Sequence, residues 1–227
     1  MNQLVIVPAY NEAEVIRKVL TGLKSQLRKL GEFEIVVVDD GSTDETYQEA
    51  KKANVTILRH PINRGLGGAL GTGLYYAKQK RAKLVVTFDA DGQHDPKDIA
   101  KVISPILKRE ADVVIGSRMM KGAKQIPWDR RLLLLGSNII TQLLFSVRTS
   151  DSQSGFRAFS GKAIRNLSVR TQEMEVSSEL FSEIKRLKLR VAEVPISVIY
   201  TQYSRKKGQS NLNALGVLAR LLLRLAR

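Results

Sequence analysis

The stretch Leu84-Val-Val-Thr-Phe-Asp-Ala-Asp-Gly-Gln-His-Asp95 decides how this chain is read. Residues 84–88 are a short apolar, β-rich run, and Asp89 and Asp91 stand where it ends. In an open α/β sheet the carboxyl ends of the strands form the ligand-binding edge. A hard divalent cation takes oxygen ligands, so two such carboxylates can address both the cation and a diphosphate bound to it. Gln93 adds a neutral oxygen. The same residues also fit a plain turn, with Asp91-Gly92 as the reversal and Asp95-Pro96 opening the next helix. Turn chemistry accounts for one of these aspartates but not for the cluster.

Working outward, strands are expected at 4–8, 34–38, 55–58 and 113–117, with helices at 12–29, 44–52, 68–80 and 98–109. Continuous Val/Ile runs between helices imply parallel strands covered on both faces, hence an α/β fold with a mostly parallel, doubly wound sheet. No linker, low-complexity tract or solenoid repeat divides the chain. A helix opened by Glu173, Glu175 and Glu179 is expected to reach residue 186, and an edge strand to follow at 191–194.

Two further strand ends share the edge with Asp89. Pro8-Ala-Tyr-Asn-Glu12 follows the first strand and Val38-Asp-Asp-Gly-Ser-Thr-Asp44 the second. Carboxyl ends of parallel strands point one way, so Tyr10, Glu12 and Asp40 converge with Asp89 and Asp91 around one crevice. An aromatic ring beside carboxylates that accept from base N–H or ribose hydroxyls makes a nucleoside pocket. Taken singly, Asp40-Gly41 is also a common turn and Glu12 a first-turn helix carboxylate. The run Asn63-Arg-Gly-Leu-Gly-Gly-Ala-Leu-Gly-Thr-Gly73 matches neither a dinucleotide fingerprint nor a P-loop. It reads as a loop feeding a tightly packed helix, or as a cleft wall through Asn63 and Arg64.

Composition sets the outer bounds. The 227 residues suffice for one large domain, and the absence of cysteine excludes disulfides, thiolate metal sites and cysteine nucleophiles. Residues 1–117 hold 17 Lys and Arg against 15 Asp and Glu, whereas 118–227 hold 20 against 7, so the formal charge of +15 belongs to the second half. Such a face attracts nucleic acid, an anionic membrane or a phosphorylated substrate. With no signal-peptide pattern and no long apolar run, a cytosolic chain without a membrane span is expected.

Val-Pro-Ala-Tyr-Asn-Glu at 7–12, Val-Asp-Asp-Gly-Ser-Thr-Asp at 38–44, Asn63-Arg64-Gly65 and Asp89-Ala-Asp-Gly-Gln-His-Asp95 resemble the successive motifs of family 2 glycosyltransferases of GT-A fold. Gly116-Ser-Arg118, Asp151-Ser-Gln-Ser-Gly-Phe-Arg157 and Arg205-Lys-Lys-Gly-Gln-Ser210 are similar to the polyprenyl-phosphate branch, which includes dolichyl-phosphate mannose synthase. The resemblance spans nearly the whole chain. It implies a GT-A domain over 1–210, with a nucleotide-binding half at 1–117 and an acceptor-binding half at 118–210. It also implies that Pro8, Tyr10, Asn11, Glu12, Val38 and Asp40 hold base and ribose. On the same resemblance, Asp89, Ala90, Asp91 and Gln93 would hold the diphosphate and a Mg²⁺ or Mn²⁺ ion, with Asp89, Asp91 and Gln93 as ligands. Arg118 and Arg205 would lie near the phosphates, and Lys206 and Lys207 would supply charge where the family carries a lysine at the position of Asn211.

The reaction so implied moves a hexose, with inversion, from a GDP-mannose or UDP-glucose type of donor to a polyprenyl or dolichyl phosphate. Asp91 with the metal, aided by Arg118, suits stabilisation of the departing diphosphate. A hydroxyl acceptor needs a carboxylate base, for which Asp151 and Glu179 are candidates. A phosphate acceptor arrives ionised and needs cations instead, with Arg130, Arg131, Arg157 and Ser154 as the expected holders.

Residues 130–147 carry Leu132, Leu135, Ile139, Leu143 and Val147 at helical spacing, and 211–227 oppose Leu215, Leu218, Leu222 and Leu225 to Arg220, Arg224 and Arg227. The first fits an ordinary core helix or one lying in a membrane interface, and the second fits packing on a partner or on an anionic lipid surface. Peripheral attachment at the cytoplasmic face of a membrane is the expectation, with no nucleic acid as partner. Other classes remain in view. A sugar nucleotidyltransferase would place a Gly-rich phosphate loop after the first strand, where Pro8-Ala-Tyr-Asn-Glu12 stands, and a nucleic-acid-binding module would explain the charge but not the aligned carboxylates.

Overall fold

The computed structural model describes residues 2–120, 126, 128–169, 171 and 176–199, with the side chains of residues 128–130 outside that description. Strand β1 (Gln3–Ala9) shows why the chain forms a two-sided sheet. Val5 and Val7 enter one apolar cluster and Leu4 and Ile6 the other, as the two-residue period of a strand requires. Strands β2 (Glu34–Asp39), β3 (Thr56–Arg59), β4 (Leu84–Thr87), β5 (Val113–Ser117), β6 (Arg157–Ser160) and β7 (Val191–Pro195) complete a seven-stranded sheet in the order β3-β2-β1-β4-β6-β5-β7. All neighbouring pairs are parallel except those of β6, which runs antiparallel to β4 and β5.

Helices cover both faces. Helices α1 (Ile16–Leu27), α2 (Thr46–Lys51) and α4 (Ile99–Leu107) pack on the Val5 side, with Ile16, Leu20, Leu23, Ala50, Ile99 and Val102 buried. Helices α3 (Gly65–Gln79), α6 (Gly161–Asn166) and α7 (Val176–Arg186) pack on the Leu4 side. Helix α5 (Trp128–Phe145) contributes Phe145 to the rim of that second cluster. Helix α3 approaches β1 closely, since a Cβ at Gly73 would come within 2.4 Å of Ile6 Cγ2. The Gly-rich run is thus a packing device here.

The mostly parallel α/β sheet expected from the Val/Ile runs is present, and β7 is an edge strand. The structure adds β6 and α6, which the chain's periodicity does not announce. It also starts α1 later than expected. Val15 and Ile16 donate to Glu12 O at 3.0 and 2.9 Å, while the amides of Glu12 and Ala13 are capped by Thr46 Oγ1 at the start of α2 (2.7 Å) and by Asp44 Oδ2 in the loop before it (3.2 Å). The loops after β1 and β2 are therefore one linked unit. After β7 the chain turns back along the loop that follows β4. Ser197 N donates to Asp98 Oδ2 at 2.6 Å, Val198 bridges to His94, and Ile199 N donates to Gln93 O at 2.8 Å. The boundary at 210 and the helix expected at 211–227 lie outside the described residues.

Candidate active site

Strands β2, β1 and β4 are neighbours and parallel, so the segments after their carboxyl ends meet at one rim. Pro8 and Val38 are register partners within the buried sheet. Tyr10, 41 % exposed, stands beyond them. Asn11 adopts a left-handed φ of 54° and ties the two loops together, its amide donating to Ser42 Oγ at 3.0 Å and its Oδ1 accepting from Thr43 N at 2.9 Å. Ala90 is buried in the Val5-side core, which anchors the aspartates on either side of it.

Asp89 is held on two sides. Nε2 of His94 lies 2.9 Å from its Oδ2, and a Cβ at residue 155 would lie 2.1 Å from its Oδ1, so a side chain there would have to displace the carboxylate. Thr87 Oγ1 fixes that glycine by donating to Gly155 O at 2.7 Å. About a third of the Asp89 side chain (33 %) faces the crevice. Burial works against its charge, yet the His94 hydrogen bond and the Arg118 and Arg157 cations outweigh it and hold the carboxyl below its ordinary value. For Asp91, burial and the Asp89 charge act together and raise the pKa, offset in part by His94, the Gln93 N–H and Arg118. Gln93 donates to Asp91 twice, from its backbone at 2.9 Å and its side chain at 2.7 Å.

Asp40 is nearly closed off, at 3 % exposure. Its Oδ1 lies 2.6 Å from His60 Nδ1 and accepts from Arg64 N at 3.0 Å, while His60 Nε2 sits 2.9 Å from Thr72 Oγ1. His60 and Thr72 are supporting residues that no motif in the sequence marks.

The second half supplies the opposite wall. Arg118 grips Asp151 with Nε and Nη2, both at 2.7 Å, and with its backbone amide at 3.0 Å. Asp151 is fully buried, and Glu179 accepts from Thr171 N and Oγ1 at 2.9 and 2.6 Å, so both candidate bases are engaged. Arg157 is 4 % exposed, donates to Ser152 O at 2.9 Å and Ser177 Oγ at 3.2 Å, and lies over Phe181. Burial lowers its pKa to about 10 against the pull of Asp89 and Asp151. It lies beneath the crevice, where its charge reaches those acids and not the surface. Ser154 is also buried and accepts from Phe156 N at 3.3 Å, closing a turn. Arg131 is exposed in the first turn of α5, whereas the Arg130 side chain and Arg205 lie outside the described residues. A concavity of about 1020 Å³ opens at the opposite edge of the sheet near Lys24, Phe33 and Lys80, away from the acids.

Burial and the Asp89 charge drive Asp91 toward protonation, and a cation bound beside the pair would offset both. Among the described residues no three His, Asp or Glu side chains gather as metal ligands. A cation here would take Asp89, Asp91 and the Gln93 oxygen, leaving its other positions to phosphate oxygens and water, which is how Mg²⁺ is commonly held beside a diphosphate. The donor set fits such an ion.

A mostly parallel sheet with acids at this rim matches the GT-A architecture, and a family model described as Glycosyl transferase family 2 matches residues 4–168. The chain belongs to that family. It is 40 % identical to the UDP-N-acetylglucosamine–dolichyl-phosphate N-acetylglucosaminyltransferase of Methanococcus voltae, over 96 % of this chain and 94 % of that one. It is 28 % identical to the undecaprenyl-phosphate mannosyltransferase of Micrococcus luteus, over 94 % and 88 %. Glucosyl-3-phosphoglycerate synthase from Mycobacterium tuberculosis, solved with Mn²⁺ and UDP-glucose, superposes with a TM-score of 0.71 at 22 % identity, covering 98 % of this chain and 76 % of that one. At that identity the likeness is one of fold.

Proposed function

We propose that this family 2 glycosyltransferase moves a sugar, with inversion and with a divalent cation, from a nucleoside diphosphate donor to the phosphate of a polyprenyl or dolichyl acceptor. The observation that carries the reading is the Asp89–Asp91 pair, preformed at the carboxyl edge between a linked nucleoside-side loop and a cationic wall. Asp89, Asp91 and Gln93 would hold Mg²⁺ or Mn²⁺, and the bound ion would offset the negative charge gathering on the departing diphosphate. Arg118, anchored by Asp151, adds a cation at the same wall. An acceptor phosphate attacks the anomeric carbon as the bond to the diphosphate breaks, and, being already ionised, it asks no base of the protein. The engagement of Asp151 by Arg118 and of Glu179 by Thr171 supports that acceptor over a sugar hydroxyl. So do the names of the two relatives, both of which act on polyprenyl phosphates.

A lipid acceptor places the enzyme at a membrane surface. Leu132, Leu135, Ile139 and Leu143 of α5 form one exposed stripe, at 60, 43, 60 and 69 %. No helix among the described residues is long and apolar enough to cross a bilayer. Peripheral contact through α5, at the cytoplasmic face, is the arrangement we favour. The test is a transfer assay with purified protein, a polyprenyl phosphate and a panel of UDP-N-acetylglucosamine, UDP-glucose and GDP-mannose. Lipid-linked sugar formed with Mn²⁺, and lost in Asp91→Asn, is expected. Transfer to free saccharides alone would overturn the acceptor assignment.

A further inference from the structure

His94 is 3 % exposed, and its ring lies against Phe88 and Phe156 at centroid separations of 5.6 and 5.2 Å. A phenylalanine matches the apolar character of that slot. What distinguishes histidine is its polar contact. Nε2 reaches Asp89 Oδ2 at 2.9 Å, while Nδ1 is buried and has no hydrogen-bond partner among the described residues. A buried histidine with only a structural part normally satisfies both nitrogens, because leaving one unmatched costs free energy. Here one nitrogen is left unmatched and the other is aimed at the acid that faces the crevice. The backbone of His94 is pinned as well, through its bridge to Val198. Gly155 closes the other side of the carboxylate.

We infer that His94 is a positioning residue for Asp89, fixing the carboxylate so that its exposed part faces the cation and diphosphate before either arrives. This rests on the metal-assisted reading above. Partners that orient a ligand in this way typically change metal affinity by about 10- to 100-fold when removed. Gly155 alone does not set the orientation, since it blocks one rotation without drawing the carboxylate toward any direction.

The experiment compares wild type, His94→Phe and His94→Gln by Mn²⁺ titration in the presence of UDP, reading free Mn²⁺ by electron paramagnetic resonance, alongside thermal melting. His94→Phe keeps the packing and removes the donor, so it should stay folded with a modest loss of melting temperature at neutral pH and bind Mn²⁺ about 10-fold or more weakly. His94→Gln retains a donor in a poorer fit, so it should melt lower yet bind Mn²⁺ more tightly than His94→Phe. These opposed rankings are what a merely structural histidine would not produce. In the transfer assay the Mn²⁺ requirement of His94→Phe should rise while kcat at saturating Mn²⁺ stays near wild type. If His94→Phe does not fold, His94→Leu takes its place in the same comparison. Wild-type uptake of Mn²⁺ with unchanged affinity in the donor-less variant would overturn the role of His94 alone. Wild type that takes up no Mn²⁺ with UDP would remove the metal-assisted reading, and this role with it.

Discussion

Asp89 and Asp91 are two residues apart, yet their surroundings push their protonation in opposite directions. Asp91, whose folded pKa is raised, contributes stability that is present below its unfolded pKa and lost as pH rises through the folded one. Asp89, whose folded pKa is depressed, contributes stability above its unfolded pKa and loses it as pH falls through the folded one. In metal-free protein, Asp91→Asn should therefore raise the melting temperature at neutral pH, even as it abolishes transfer. A melt in the presence of a chelator reads this directly, and a lower melting temperature would contradict it. Proton and metal compete for Asp91, so Mn²⁺ affinity should begin to fall at a pH above the value of about 4 at which an ordinary carboxylate titrates. Gly155→Ala drives a methyl group into the Asp89 carboxylate and should cost most of the Mn²⁺ affinity while leaving Asp91 untouched. The acids were legible in the sequence because their spacing follows a strand. The roles of His60, Thr72 and Gly155 were not, because each depends on a partner brought close only by the fold.

At the scale of elements, strands with uninterrupted Val/Ile runs and helices with a buried stripe stood out from the residues alone. Strand β6 did not. It is four residues long, starts at Arg157 and lies antiparallel between two strands that precede it in the chain. Nothing local in Phe156-Arg-Ala-Phe-Ser160 signals that insertion, which long-range pairing decides. Two contacts between elements can be tested. Gly73→Ala presses α3 off β1 against Ile6 and should destabilise by about 1–3 kcal/mol, read in a denaturant melt. Asn138 of α5 donates to Ser150 O at 2.6 Å and accepts from the buried Ser152 N at 2.8 Å, clamping the loop that carries Asp151 and Gly155. Asn138→Ala strands that amide and should cost about 1–3 kcal/mol. It should also lower transfer more than an equally destabilising core change far from the loop.

For the molecule as a whole, charge and chemistry are divided along the chain. The first half is nearly neutral and carries the acids, while the second half holds most of the +15 and the exposed stripe of α5. Binding to vesicles that contain anionic lipid should accordingly weaken as salt rises, because exposed charges are screened beyond about 10 Å at 0.1 M ionic strength. Ile139→Ser should weaken it at every salt concentration. Co-sedimentation reads both, and indifference to salt and to Ile139→Ser would argue for a protein partner on α5. The most direct test of the metal-clamped diphosphate is calorimetric titration of UDP and of GDP into wild type and Asp89→Asn, each with Mn²⁺ and with a chelator. One of the two nucleotides should bind wild type more tightly with Mn²⁺ than with the chelator, and Asp89→Asn should lose that difference. Equal affinity with and without the metal in wild type would contradict it.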